Sequence, residues 1–167
     1  MLQSGVTRRL VLTAMVGTLA FAVVPAAFAA GKTRNDLNLD KAGVAVHGYD
    51  PVAYFTMGKP VKGDAAISAS HDGATYYFSS TANRQLFQKS PTKYKPAFGG
   101  FCAIGASLGK KFDGRPDLWK IVDGQLYLNV APGPHKRWLS EIPSRIKEAN
   151  ANWPKIKDQP AAKVNAQ

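Results

Sequence analysis

The sequence predicts an α+β domain: a small antiparallel sheet built from hairpins, covered by short helices and closed by a C-terminal helical segment. Two Asp-Gly pairs and one periodic C-terminal stretch carry this reading. Asp72-Gly73 lies in "AAISASHDGATYYFSS" and Asp123-Gly124 in "LWKIVDGQLYLNV". Each pair separates two runs of alternating, β-branched or aromatic residues, and Gly takes the positive φ that a tight hairpin turn requires. The third observation is "GPHKRWLSEIPSRIKEANANWP", where Trp138, Ile142, Ile146, Ala149 and Trp153 recur every three or four residues, the spacing of a helix face.

The elements follow in chain order. Thr7 to Ala30 has an arginine pair (Arg8, Arg9), an uncharged apolar run from Leu10 to Val24, Pro25, and an Ala27-Phe28-Ala29 end. That is the layout of a secretory signal peptide, and the Thr-Arg-Arg start resembles a twin-arginine signal. Residues 1–29 are therefore expected to be removed on export to the periplasm, leaving 138 residues, about one domain. The formal net charge falls from +11 to +9, because the segment holds two arginines and no acids. Such a surface attracts anionic partners, but no nucleic-acid-binding motif accompanies it, and no membrane span is expected after cleavage. Residues 30–41 are polar and read as a flexible lead, and "KDQPAAKVNAQ" over 157–167 as a disordered tail. The folded body is residues 42–156.

Within the body, Trp119 and Ile121, and Leu126 and Leu128, are spaced by two, so each pair shares a sheet face. Ser79 and Ser80 offer N-cap oxygens to a helix over "TANRQLFQKS", with Ala82, Leu86 and Phe87 as its apolar stripe and Pro91 as its stop. Pro143 interrupts the C-terminal pattern and predicts two consecutive helices or a kink there, with Pro143 in the first turn of the second.

Cys102, in "FGGFCAIG", is the only cysteine, so no intramolecular disulfide can form. A buried small hydrophobe, a metal ligand, a reactive thiol and an intermolecular disulfide all remain open. Gly99-Gly100 allows close backbone approach just before it. Of the three histidines, His71 beside a turn and His135 in a polar helix start read as solvated, which leaves His47 as the histidine to pair with Cys102. A thiolate and an imidazole suit a soft transition metal such as copper, since Cu(I) accepts low coordination numbers. Asp50-Pro51 reads first as a turn, with Tyr49 and Asp50 as possible hydrogen-bonding neighbours of a site. GxSxG, HExxH, P-loop and dinucleotide fingerprints are all absent, which weighs against an enzyme.

Several segments in order, "HGYDPVAYF", "YYFSSTANRQLFQKSPTKY", "KPAFGGFCAIG", "DGQLYLN" and "ANW", resemble the exported, single-domain branch of the YHS domain proteins. The likeness runs from about Val44 to Pro154. It implies a metal-binding ancestry, with cysteine ligands after "YYF" and a few residues later. Here those positions hold Ser79 and, nearby, Asn83, poor ligands for copper or zinc, so any thiolate would have to come from Cys102. The expected function is a small periplasmic binding domain, with copper held by Cys102 and His47. The alternatives are a non-catalytic protein-interaction module with a structural Cys102, or a Cys-His enzyme with Asp50 as orienting group. Its partners would be a metal ion or small ligand, or a periplasmic protein.

Overall fold

The computed structural model describes residues 34–166; the expected signal segment lies outside them. Both Asp-Gly pairs turn hairpins. Strands β1 (Asp64–His71) and β2 (Ala74–Phe78) pair antiparallel, as do β3 (Arg115–Val122) and β4 (Gln125–Asn129). The turn residues Asp72, Gly73, Asp123 and Gly124 all have positive φ, from 49° to 80°, the geometry that matches strand twist. Each hairpin is its own two-stranded sheet, with a register shift near the start of its first strand.

Seven short helices surround the hairpins among the described residues: α1 (Ala53–Thr56), α2 (Thr81–Lys89), α3 (Pro91–Tyr94), α4 (Ala103–Ser107), α5 (Pro132–Ser140), α6 (Ile142–Ile156) and α7 (Ala161–Asn165). The α+β class predicted from the sequence is the observed one. None of these helices is long and apolar enough to cross a membrane. The C-terminal stretch divides into α5 and α6 with Pro143 in the first turn of α6, where its missing N–H would be unpaired in any case. Ser80 caps α2 by accepting the Asn83 N–H at 3.1 Å.

Strand β4 divides the core. Leu126 and Leu128 point into one apolar cluster with Val52, Tyr54, Phe78 and Phe87, while Tyr127 between them joins a second with Phe98, Cys102, Trp138 and Ala149. Alternation along one strand thus serves two cores, and Trp119 and Ile121 across the hairpin pack on the first.

The structure corrects three expectations. Helix α2 does not bury Ala82 and Leu86; both are exposed, Leu86 to 40%, and the inward face is Asn83 with Phe87. Polar Asn83 faces in because its amide has a buried partner. Next, the lead is not a flexible strand from residue 34 onward. The Asn38 N–H donates to the Gly99 carbonyl at 2.9 Å, and the Arg34 guanidinium donates to the Asp72 carbonyl at 2.6 Å. Gly99 permits this contact, since a Cβ there would overlap the Asp36 carbonyl oxygen. Last, the expected tail forms α7. Its Val164 is buried, and the Asn165 side chain pairs with the Lys111 backbone through both its oxygen (2.9 Å) and its amide (3.0 Å).

One residue joins both ends to the body. Lys111 is 2% exposed, and its ammonium donates to the carbonyls of Asn35, Lys157 (3.1 Å) and Gln159 (2.7 Å) while lying 4.7 Å from the Phe101 ring centre. Among the described residues no carboxylate pairs with it. Backbone dipoles and an aromatic face solvate the charge instead.

Lys111→Met leaves those carbonyls without a donor and should cost about 1–3 kcal/mol of unfolding free energy. Burial also lowers the Lys111 pKa from its ordinary 10.5. Between the lowered folded value and 10.5 the folded state binds fewer protons than the unfolded chain, so this contribution rises with pH across that window and is lost as pH falls through it. Denaturant melts of both proteins from pH 7 to 11 should show wild type gaining on the variant as pH rises. Parallel curves would contradict the assignment.

Candidate functional site

The segment before α1 places a carboxylate where the chain is most crowded with donors. Asp50 is fully buried. One carboxylate oxygen accepts the N–H groups of Val52 (2.9 Å) and Ala53 (3.3 Å), capping α1. The other accepts the Ser79 N–H (2.8 Å), the Ser79 hydroxyl (2.7 Å) and the Asn83 amide (2.7 Å). Five donors therefore fill about four lone-pair sites. The turn-forming role read for Asp50 is the smaller part of what it does: it ties the start of α1, the end of β2 and the inner face of α2 to one buried anion.

This corner also tests the metal that the family likeness implies. Ser79 spends its hydroxyl proton on Asp50, Asn83 spends its amide there, and neither is a soft donor. The carboxylate has no lone pair left over. The residues at this corner do not fit copper or zinc.

Cys102 lies at the start of α4 with no exposed surface. Its sulfur accepts the Gly105 N–H at 3.4 Å, and its thiol donates to the Asn129 side-chain oxygen at 3.8 Å. Burial raises the thiol pKa, against hydrogen bonds from nearby backbone that lower it. The sulfur is thus held as a protonated, packed thiol rather than as a thiolate. The Asn129 oxygen also accepts the Ile104 N–H (3.4 Å), which turns the Asn129 amide toward His135 Nδ1 at 3.2 Å. In that arrangement Nδ1 is the unprotonated acceptor of the ring, an assignment that follows from the hydrogen-bond network. Burial lowers the His135 pKa, partly offset by Asp117. His135, expected to be solvated, is the histidine linked to Cys102, through Asn129.

His47 occupies a tight turn in which Val46, His47 and Gly48 all have positive φ (53°, 52° and 73°). The turn leaves the ring exposed, with Nε2 2.8 Å from Asp113 Oδ1, an oxygen shared with the Asn38 amide. Asp113 is bridged through its backbone to Phe101, next to Cys102. The two expected ligands thus lie on neighbouring stretches of chain, but one side chain faces water and the other the second core. Among the described residues no three His, Cys, Asp or Glu side chains gather into a cluster that could hold a metal ion.

A concavity among the described residues lies elsewhere. A cleft of about 290 Å³ opens between the lead, the Phe98-Gly99 turn and the end of α6. Its walls are Leu37, Tyr76, Phe98 and Trp153, and its rim carries Arg34, Lys95 and Lys157 with Asp36 and Asp72. Composition does not point to it, because Leu37 in its wall and Lys157 on its rim come from segments whose composition reads as flexible or disordered.

The family model of the YHS domain matches residues 52–98, from the start of α1 to the turn before Cys102. That family is compatible with a metal-binding role. No curated protein and no solved structure matches the chain.

Replacing Asp50 by Asn presents an amide to three donors. The expected loss is about 3 kcal/mol, against about 1 kcal/mol for Ser79→Ala, which leaves the carboxylate four donors. Urea midpoints of the two variants measure this. Equal or negligible losses would show that the anion does not hold the corner.

Proposed function

We propose that this chain, which carries a YHS domain over residues 52–98, is an exported, non-catalytic binding domain in which Cys102 is structural and the cleft beside Gly99 makes the contacts. The observation that carries the reading is the sealed thiol. A sulfur with no exposed surface and a pKa raised by burial is poorly suited to attack a substrate or capture an ion from solution. Burial also accounts for an unpaired cysteine persisting in an oxidising compartment, the periplasm to which the N-terminal pattern points. The Cys-His enzyme has the least support, because His47 pairs with Asp113 and Asp50 is committed to its five donors.

A second reading, a soft-metal site in which Cys102 and His47 hold copper, is favoured by the family match. It requires the thiol to be uncovered and brought to the surface histidine. Iodoacetamide labelling of the folded protein and Cu(I) titration against a competing chelator separate the two readings, with wild type beside Cys102→Ala and His47→Ala. The structural reading expects no labelling until the protein is unfolded, and Cu(I) affinity equal in all three proteins. Tight Cu(I) binding lost in both variants would replace it with the metal site.

A further inference from the structure

We propose that the cleft beside Gly99 is a binding site for a small organic monoanion, an aryl-bearing carboxylate. The inference rests on reading the protein as a binding domain and supplies the ligand class.

The charges of the cleft leave one cation over. Arg34 holds Asp36 through two parallel hydrogen bonds of 2.8 and 2.9 Å, and Lys95 holds Asp72 at 3.1 Å. Among the described residues, Lys157 forms no ion pair, and it is close enough to lower the Asp36 pKa. The net charge of the rim is therefore +1, matched to one negative charge. A dianion would meet the two fixed carboxylates, Asp36 and Asp72.

A second donor lies in the wall. Tyr76 is 2% exposed and lines the cleft. Its hydroxyl has no hydrogen-bond partner among the described residues, although it lies within electrostatic reach of both Arg34 and Asp72. Burial pushes its pKa up to about 12, so it stays a neutral donor. The hydroxyl keeps some contact with solvent, which an acceptor bound in the cleft would replace. The rest of the lining is apolar or aromatic: Leu37, Pro96, Phe98 and Trp153. One negative group toward Lys157 and Tyr76, with a flat apolar body against Phe98 and Trp153, meets both demands. The volume suits a ligand at the small end of the usual range.

The cleft is also built rigidly. Lys111 holds the carbonyls of Asn35 and Lys157, which flank it on two sides, and its ammonium lies 5.7 Å from the ring centre of Trp153 in the wall. The walls are set before a ligand arrives, which lowers the ordering cost of binding.

The test titrates the full chain with 3-phenylpropanoate, its neutral amide, acetate and inorganic phosphate, following the backbone resonances of Gly99 and Gln125 and the indole resonance of Trp153. The expected result is saturable binding of 3-phenylpropanoate at those three residues, with the amide and acetate each weaker. Lys157→Gln, at an exposed position, and Tyr76→Phe, which keeps the ring, should each weaken it about fivefold. Equal binding of the amide, or unchanged affinity in both variants, would overturn the charge-based assignment. Displacement by phosphate at equal concentration would overturn the ligand class while leaving the domain a binder. No shift from any of the four probes would overturn both the inference and the assignment of the cleft as the binding surface.

Discussion

The buried carboxylate of Asp50 organises the part of the fold that the family match covers. Three short elements meet there: a one-turn helix, the end of a five-residue strand and a nine-residue helix. A lone buried anion would cost far more than these elements could repay. Five donors from Val52, Ala53, Ser79 and Asn83 turn that cost into a junction. Phe78 and Phe87 then pack beside it, and the aromatic cluster around Phe87 completes the first core. A metal could tie the same segments with thiolates. Here a carboxylate and its donors do so, which leaves no open coordination at the corner.

Lys111 is the counterpart of opposite sign. Asp50 gathers donors to an anion, and Lys111 gathers carbonyls to a cation, drawing the lead and the C-terminal segment onto the second half of the domain. The two buried charges fix the two walls of function differently. The first closes the corner that the family likeness marks for metal, and the second opens a cleft by fixing chain on either side of it. Gly99 connects the two halves, because only a glycine lets the lead cross the turn that precedes Cys102.

Much of the architecture was legible because local chemistry dictated it. The Asp-Gly turns fixed both hairpins, Pro143 divided the C-terminal helices, and alternation along β4 put Leu126 and Leu128 on one sheet face, the face that packs into the first core. Helix α2 was misread for a physical reason: hydrophobic periodicity scores Leu86 and cannot register that Asn83 has a buried carboxylate to reach. The lead and the final helix were misread because composition weighs residues singly, whereas Asn35, Lys157 and Gln159 contribute backbone carbonyls, which every residue has. Among the candidate site residues, the unique thiol was open in the sequence, but the exposure of His47 and the sealing of Cys102 depend on the turn at Val46–Gly48 and on the β4 packing around the sulfur. Asn129 and His135 form a network with Cys102 that no spacing rule would suggest, since Asn129 acts through both ends of its amide.

The central claim is that a donor-saturated carboxylate, rather than a metal, closes the Asp50 corner. Hydrogen exchange tests it most directly. If Asp50 holds the corner, the Ser79 and Val52 amides exchange only through global unfolding, in wild-type protein treated with chelator as in untreated protein. Fast exchange at Ser79, or protection that disappears once metal is stripped, would contradict it.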